Sequence, residues 1–298
     1  MSVTFAQGFS AAGVAAGISS VEGKKDLALV VNNGPLDAAA GVFTSNRFCA
    51  APVQWSRKVV ADGHVKAVIL NSGGANACTG KPGYEQSKAT AEKVAGLIGA
   101  KAEDVAVCST GLIGELLPLD NVLSGADKAF ETLADTAEAG ADASHAIMTT
   151  DTHPKEIALE FAVGGKAVRI GAIAKGSGMI HPNMATMLLF MTTDAKVAPA
   201  ALQKALSTVV PATFNQISVD GDTSTNDTVL LLASGLSGAE IAEGTPDYDT
   251  FVAALTEVAE HLSRELAGDG EGATKLLECT VTGAPDLATA RAVSQSVI

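Results

Sequence analysis

The sequence predicts a mixed α/β fold, either as one large domain or as two smaller ones. Short apolar runs bounded by Gly, Pro and Asn are interspersed with Ala-rich segments of helical spacing, and a glycine pair joins two alternating segments. No repeat or obvious linker divides the chain. With 298 residues, 47% of them hydrophobic, it can bury a sizeable core.

The first half is predicted to contain both strands and helices. Apolar runs between turn-forming residues predict strands at 27–31, 41–44, 66–70 and 105–108. Apolar residues at helical spacing predict helices at 84–98, 119–133 and 137–148.

The second half opens on the strongest local signal, an alternating segment at 156–163 that resumes at 167–170 after Gly164-Gly165. Glycines supply the positive φ of a two-residue turn, so a hairpin is predicted. The remaining predictions are a strand buried on both faces at 187–191, a helix at 199–210, a helix carrying one apolar face at 251–266, a strand at 276–282 and a helix at 286–298.

Composition excludes several classes of function. A net charge of −13 disfavours nucleic acids and anionic membranes as partners, because phosphate binding depends on Lys and Arg. The N-terminal segment has no signal-peptide pattern, and no apolar run reaches the roughly 18 residues of a membrane helix, so a cytoplasmic location is expected. The cysteines and histidines lack metal-ligand spacing, and no metal is expected.

Four polar segments interrupt the apolar pattern, at 71–80, 108–115, 148–153 and 220–227 together with 269–272. The second follows a predicted strand, where Thr110 offers a hydroxyl and Gly111 an unhindered N–H that suit an oxyanion. Such residues are also common in ordinary turns. The third segment, 148–153, is interpreted either as binding a polar substrate or as capping a helix. The fourth segment is interpreted as a loop that caps a helix at Asn226 rather than as a calcium site.

The segment 175–190 is the most informative part of the chain. A glycine-rich turn and Pro182 precede the small-residue junction Ala185-Thr186, and an apolar run follows. Cleavage of that junction would give Thr186 a free α-amine beside its own hydroxyl, which places a base and a nucleophile in one residue.

These motifs together resemble one family. The sequence Lys175-Gly-Ser-Gly-Met-Ile-x-Pro-x-Met-Ala-Thr186, preceded by Cys-Ser-Thr-Gly-Leu-Ile-Gly-Glu at 108–115 and Ile-Met-Thr-Thr-Asp-Thr at 147–152, is similar to the bifunctional ornithine acetyltransferase and N-acetylglutamate synthase family of arginine biosynthesis. Ser-Thr-Asn-Asp-Thr at 224–228 and Asp-Gly-Glu-Gly-Ala-Thr-Lys at 269–275 complete the resemblance in the family's order.

The resemblance implies an αββα sandwich that cuts itself between Ala185 and Thr186 into an α chain (1–185) and a β chain (from 186), which pair and dimerise to α2β2. Thr186 would take acetyl from N-acetylornithine and pass it to glutamate, without a cofactor, while use of acetyl-CoA as a co-substrate is left open. The catalytic residues implied are Thr186 and the oxyanion pair Thr110 and Gly111. The substrate-binding residues implied are Thr149, Lys175, Thr186 and Glu271.

The resemblance also implies a catalytic domain at 1–275 and the start of a second, truncated domain at 276–298. His181 departs from the family pattern, which usually has a small or acidic residue there. Two rival functions are considered: an N-terminal-nucleophile amidohydrolase or aminopeptidase that admits water to the acyl-enzyme, and an inactive truncated binding module.

Overall fold

The structure, a computed structural model, describes residues 2–181 and 187–298. The strands of the two main sheets are β1 (Phe9–Val14), β2 (Leu27–Asn32), β3 (Ala38–Phe43), β4 (Ala67–Gly74), β5 (Val105–Leu112), β6 (Lys155–Val163), β7 (Lys166–Lys175), β8 (Leu188–Thr193) and β10 (Thr228–Ala233). A small third sheet pairs β9 (Lys196–Val197) with β11 (Glu240–Ile241). The helices are α1 (Ala51–Val59), α2 (Gly80–Ile98), α3 (Leu119–Glu131), α4 (Ala137–Ala146), α5 (Pro199–Ala212), α6 (Pro246–Gly268) and α7 (Leu287–Gln295).

The first sheet has the strand order β1-β2-β4-β5. Its first two pairings are antiparallel, whereas β4 and β5 are parallel because the chain returns through α2. Apolar side chains of α1 to α4 share one core with this sheet. Trp55 of α1 also donates its ring N–H to the Val105 carbonyl at 3.0 Å, which ties the helix layer to β5.

The second sheet has the order β3-β10-β8-β7-β6, with β8 and β10 parallel. Strand β8 is buried on both faces, because Leu188 and Phe190 join the core of the first sheet while Leu189 and Met191 join α5 and α6. The layers therefore run helices, sheet, sheet, helices, as the αββα prediction requires.

The predicted hairpin is confirmed as β6 and β7. Gly164 and Gly165 have φ values of 56° and 78°, the pair of positive angles that a two-residue turn of this kind needs. Strand β7 extends beyond the predicted end at 170 and reaches Lys175, which pairs with Leu188 of β8. The hairpin thus delivers Lys175 beside the beginning of β8.

Two sequence predictions are wrong. The segment 276–282 forms no strand in the described part of the chain, and its side chains are mostly exposed with no sheet edge beside them. The loop at 220–227 does not cap a helix at Asn226, since strand β10 follows it. The sequence patterns do not predict helix α1 or the strands β1, β9, β10 and β11. The small residues of β1 carry little periodicity, and Pro52 at the start of α1 resembles a turn.

The topology gathers polar segments at one end of the two sheets. The carboxyl ends of β5 and β7 meet there, as the hydrogen bond from Lys175 to Thr110 shows. The beginnings of β8 and β10 lie at the same end, because these strands are parallel and β7 runs against β8. Within the described ranges, no helix is long and apolar enough to cross a membrane.

Candidate active site

Lys175 brings together two hydroxyl groups that lie far from it in sequence. Its side chain is 2% exposed, and its Nζ donates to Thr149 Oγ1 at 2.7 Å and to Thr110 Oγ1 at 3.2 Å. Thr110 ends the buried part of β5, and Thr149 follows helix α4. The structure thus brings three of the predicted site residues together, with two hydroxyl groups beside the ammonium group of the third.

The electrostatic surroundings of Lys175 shift the pKa of its amine downward. Burial lowers the pKa of its amine, and the charges of Lys155 and Lys24 lower it further, although Asp151 and Asp227 raise it. A buried lysine with a lowered pKa can bind an anionic group or exchange a proton. Both possibilities suit an acyl-transfer site.

Gly111 follows Thr110 and is a position that only glycine fits. It pairs with Gly73 across the parallel β4–β5 ladder, and its φ is 133°. A Cβ atom at this position would lie 2.3 Å from the Gly73 carbonyl carbon. Because Gly111 is exposed while Thr110 is buried, the backbone opens to solvent at the residue predicted to complete the oxyanion pair.

Asp151 holds the residues around Lys175 in place through hydrogen bonds. Its Oδ1 accepts from Lys155 Nζ at 2.8 Å and from the Gly176 N–H at 2.7 Å, and its Oδ2 accepts from the Thr149 N–H at 3.0 Å. Burial raises the pKa of this carboxyl, but the ammonium groups of Lys175 and Lys155 outweigh it, so the pKa is lowered. Asp151 is therefore a buried anion, and it holds the backbone of Thr149 in position.

Asp269 connects the same ion cluster to Glu271. Its Oδ2 accepts from Lys155 Nζ at 2.5 Å, and its carbonyl accepts from Ser177 Oγ at 2.6 Å. The Glu271 N–H in turn donates to the Ser177 carbonyl at 2.7 Å. The Glu271 carboxylate lies against Gly178, where a Cβ atom would come within 2.7 Å of it. The glycine-rich turn after Lys175 therefore leaves room for the exposed Glu271 side chain.

Asn226 and Asp227 connect β5 with β8. Asn226 Nδ2 donates to the Ser109 carbonyl at 2.8 Å and to the Ala75 carbonyl at 2.7 Å, so it holds the end of β5. Asp227 Oδ1 accepts from the Met187 N–H at 3.2 Å, at the beginning of β8. Asn226, which the sequence analysis interpreted as a helix cap, and Asp227 instead tie the end of β5, which bears Thr110, to the beginning of β8.

Ala185 and Thr186, the predicted cleavage site and nucleophile, lie outside the described residues. The flanking residues are placed: Met187 is held by Asp227, and the Ile180 N–H donates to Asp220 Oδ1 at 2.9 Å. His181 Nδ1 lies 3.1 Å from Ser218 Oγ.

Sequence reasoning missed the residues that support the site. Asp151, Asp227 and Asp269 lie inside the polar segments that it singled out, but only their positions, not their partners, could be read from the sequence. No sequence pattern singled out Lys155 as a site residue, because it occupies the polar end of an alternating strand. Within 2–181 and 187–298, no group of three or more His, Cys, Asp or Glu side chains is placed to hold a metal ion.

The layered architecture also occurs in a solved structure of low sequence identity. The l-aminopeptidase D-Ala-esterase/amidase of Ochrobactrum anthropi, described as a variant of the Ntn hydrolase fold, matches with a TM-score of 0.51 and 11% identity over 90% of this chain and 86% of its own. At this identity the likeness concerns the fold alone. The two proteins share the layered two-sheet fold.

Closer relatives identify the family. The arginine biosynthesis bifunctional protein ArgJ of Bifidobacterium longum is 69% identical over 300 residues, which cover 99% of this chain and 75% of that protein. An ornithine acetyltransferase from Mycobacterium tuberculosis, solved in complex with ornithine, is 48% identical with a TM-score of 0.58, over 63% of this chain and 96% of the solved chain. The ArgJ family profile matches residues 10–298.

The chain belongs to the ArgJ family. It is thus a relative of enzymes of arginine biosynthesis, with the αββα fold of the ornithine acetyltransferase type.

Proposed function

We propose that this protein cuts itself between Ala185 and Thr186 and then transfers an acetyl group from N-acetylornithine to glutamate through an acetylated Thr186. The observation that carries the proposal is the convergence of Thr110 and Thr149 on the buried Lys175, next to the strand that Thr186 precedes. This arrangement brings two hydroxyl groups, an ammonium group and an open backbone at Gly111 to the end of the sheet where β8 begins.

The extent of the structural matches supports the cleavage. The M. tuberculosis chain is matched over 96% of its length but over only 63% of this chain, and a Bacillus halodurans relative over 95% and 62%. Residues 1–185 make up 62% of the chain (185/298). If the solved chains end at the residue equivalent to Ala185, they would match about this fraction of the present chain, as the fractions of 63% and 62% do.

The chemistry proposed for Thr186 follows from its new chain end. A free α-amine has an unperturbed pKa of about 7.7–8.0, so at neutral pH a useful fraction accepts the hydroxyl proton. The Thr186 oxygen then attacks the acetyl carbonyl, and Thr110 and Gly111 stabilise the oxyanion. Ornithine leaves, and the amine of glutamate attacks the acetyl-threonine in the second half of the reaction.

Lys175 and Glu271 are proposed to bind the charged ends of the substrates. Lys175 is the buried cation beside the two hydroxyls, and it suits a carboxylate. Glu271 is an exposed anion held over Gly178, and it suits the cationic amine of ornithine or the ammonium of glutamate. The ornithine complex of the M. tuberculosis relative is compatible with such a site.

Intact mass spectrometry tests the proposal. The protein is expected to give two fragments that part at Thr186, and N-acetylornithine should add one acetyl group to the fragment that begins with Thr186. Thr186→Ala should stay whole, while Thr186→Ser should still split. A wild-type chain that stays whole and still transfers acetyl groups would refute the proposal, and release of acetate without glutamate would indicate a hydrolase instead.

The remaining parts of the proposal concern organisation. We propose a catalytic domain at 1–275 and the start of a second domain at 276–298, where α7 has no buried residue. The α2β2 assembly, the use of acetyl-CoA and the cytoplasmic location stay predictions. Mass measurement of the native protein and an assay with acetyl-CoA and glutamate would test the first two.

A further inference from the structure

Lys24 is a partly buried lysine next to Thr149, and no carboxylate of the protein neutralises its charge. Its Nζ donates to the Met148 carbonyl at 2.9 Å, one residue before Thr149. Among residues 2–181 and 187–298, this is the one hydrogen bond or ion pair of its side chain. Because an ammonium group has three donors, two of them are left for another acceptor.

The next residue, Lys25, shows the usual arrangement of a lysine at this surface. Its ammonium group pairs with the Asp142 carboxylate of α4, and the two side chains are 40% and 36% exposed. Lys24 and Lys25 are therefore adjacent in sequence but differ in their surroundings. Lys25 has its counterion on a neighbouring helix, whereas the ammonium group of Lys24 lies at the carbonyl that precedes a predicted substrate-binding residue.

The ammonium groups of Lys24 and Lys175 lie on two sides of Thr149. Lys175 donates to the Thr149 hydroxyl at 2.7 Å, and Lys24 donates to the carbonyl just before it. Burial is the main reason why the pKa of Lys175 is lowered, and the charge of Lys24 contributes to the same shift. Since neighbouring cations repel each other, an anion that binds beside both of them is stabilised. The pair therefore favours a negatively charged ligand.

The loop that carries Lys24, between β1 and β2, is fixed in place. The Asp26 carboxylate is 0% exposed and accepts three backbone N–H groups from residues 16–19, at 2.6 to 2.7 Å. The loop also lies against β4, because a Cβ atom on Gly73 would come within 2.9 Å of one of its backbone nitrogens. Gly73 pairs with Gly111. The loop thus extends from the predicted oxyanion residue to the ammonium site of Lys24.

The two substrates of the proposed reaction carry opposite charges on their side chains. At neutral pH, N-acetylornithine has a cationic side-chain amine, and glutamate has a second carboxylate. Both also have a carboxylate next to the nitrogen that carries or receives the acetyl group. Lys175 is proposed for this shared carboxylate and Glu271 for the cationic amine. The side-chain carboxylate of glutamate therefore needs a further cation.

We propose that Lys24 binds the side-chain carboxylate of glutamate and so determines the specificity for the acetyl acceptor, an inference that rests on the proposed function. The ammonium group would donate the hydrogens that the Met148 carbonyl leaves free. A charge-assisted hydrogen bond of this kind is stronger than one between neutral groups. N-acetylornithine has no anion at that end and gains nothing from Lys24, so the residue acts in the second half of the reaction.

The test compares kcat/KM for the two substrates in wild type and Lys24→Met. When an acetyl-enzyme separates the half-reactions, kcat/KM for N-acetylornithine reports the first and kcat/KM for glutamate the second. Loss of the charged donor should lower kcat/KM for glutamate at least about tenfold, and that for N-acetylornithine less than about threefold. Lys25→Met is the matched control and should change neither value more than about twofold, because its counterion lies on α4.

A charge series at the same position separates substrate binding from a structural role. Lys24→Arg keeps the cation and should retain most of kcat/KM for glutamate. Lys24→Glu places an anion there and should lower the value below that of Lys24→Met. A residue that only supported the loop would not order these variants by charge, nor would it affect one substrate alone. Circular dichroism checks that each variant is folded.

The outcomes distinguish this inference from the proposed function. Wild-type protein that transfers no acetyl group to glutamate would refute the proposed function and the inference with it. If wild type is active and Lys24→Met keeps the wild-type kcat/KM for glutamate, the inference alone is wrong. An equal loss for both substrates would also overturn it, since Lys24 would then serve the carboxylate that they share or the fold.

Discussion

Replacing Lys155 with methionine is expected to destabilise the fold through loss of a buried ion cluster. The Lys155 side chain is 0% exposed, and its Nζ lies 2.8 Å from Asp151 Oδ1 and 2.5 Å from Asp269 Oδ2. Methionine fills a similar volume but leaves both carboxylates without this cation. Asp151 keeps its two backbone hydrogen bonds and the more distant cation of Lys175, whose Nζ is 4.0 Å from Oδ2.

The expected loss of unfolding free energy follows from the burial of the cluster. Removing one partner of a buried ion pair typically costs 3–5 kcal/mol, and because Lys175 still compensates Asp151 in part, we expect about 3 kcal/mol. For a chain of this size, that corresponds to a fall in Tm on the order of 5–10 °C. Loss of the Lys155 cation should also loosen Glu271. The Asp269 carbonyl accepts from the Ser177 hydroxyl, and the Ser177 carbonyl accepts from the Glu271 N–H, so a shift of Asp269 is passed on to Glu271.

Urea denaturation of wild type and Lys155→Met gives the difference in unfolding free energy. Lys196→Met is the matched control: Lys196 lies 3.0 Å from Glu240, but the two side chains are 49% and 74% exposed, so less than about 1 kcal/mol is expected. A Lys155→Met variant within about 1 kcal/mol of wild type would refute the reasoning.

The same cluster predicts an acid dependence. For Asp151 and Asp269, burial raises the carboxyl pKa, but Lys175 and Lys155 at Asp151, and the hydrogen bonds from Lys155 and Thr152 at Asp269, reverse the shift and lower it. Carboxyls with a lowered pKa stabilise the fold above their unfolded pKa, and this stability is lost as pH falls through the folded value. The difference between wild type and Lys155→Met should therefore shrink in acid, and a constant difference would contradict the cause assigned to it.

Two further predictions concern the reaction. Thr110→Val should lower kcat about 10²–10³-fold, because it would remove the proposed oxyanion donor, while Thr110→Ser, which keeps the hydroxyl, should lower it far less; initial rates of acetyl transfer measure both. Glu271→Gln should raise KM for N-acetylornithine markedly, because it would remove the charge proposed to bind the cationic amine, and an unchanged KM would remove Glu271 from the substrate site.

Local patterns were sufficient for much of the fold. The glycine pair at 164 and 165 predicted the β6–β7 hairpin, and the uniformly apolar run after 186 predicted a strand buried on both faces. These features depend on neighbours in sequence, so a single chain reveals them. The alternation at 276–282 also resembled a strand, but a strand needs a partner edge, and the described structure offers none there.

The sequence by itself determined the family and the residue types of the site, because the motifs around Thr110, Thr149 and Lys175 occur in a recognisable order. Only the tertiary structure decided their contacts. Lys175 meets Thr110 across 65 positions, and Lys155 meets Asp269 across 114. Hydrophobic periodicity is a local property, whereas a buried ion or hydroxyl is satisfied by whichever polar group the topology brings to it, so these partners follow from the packing of the two sheets.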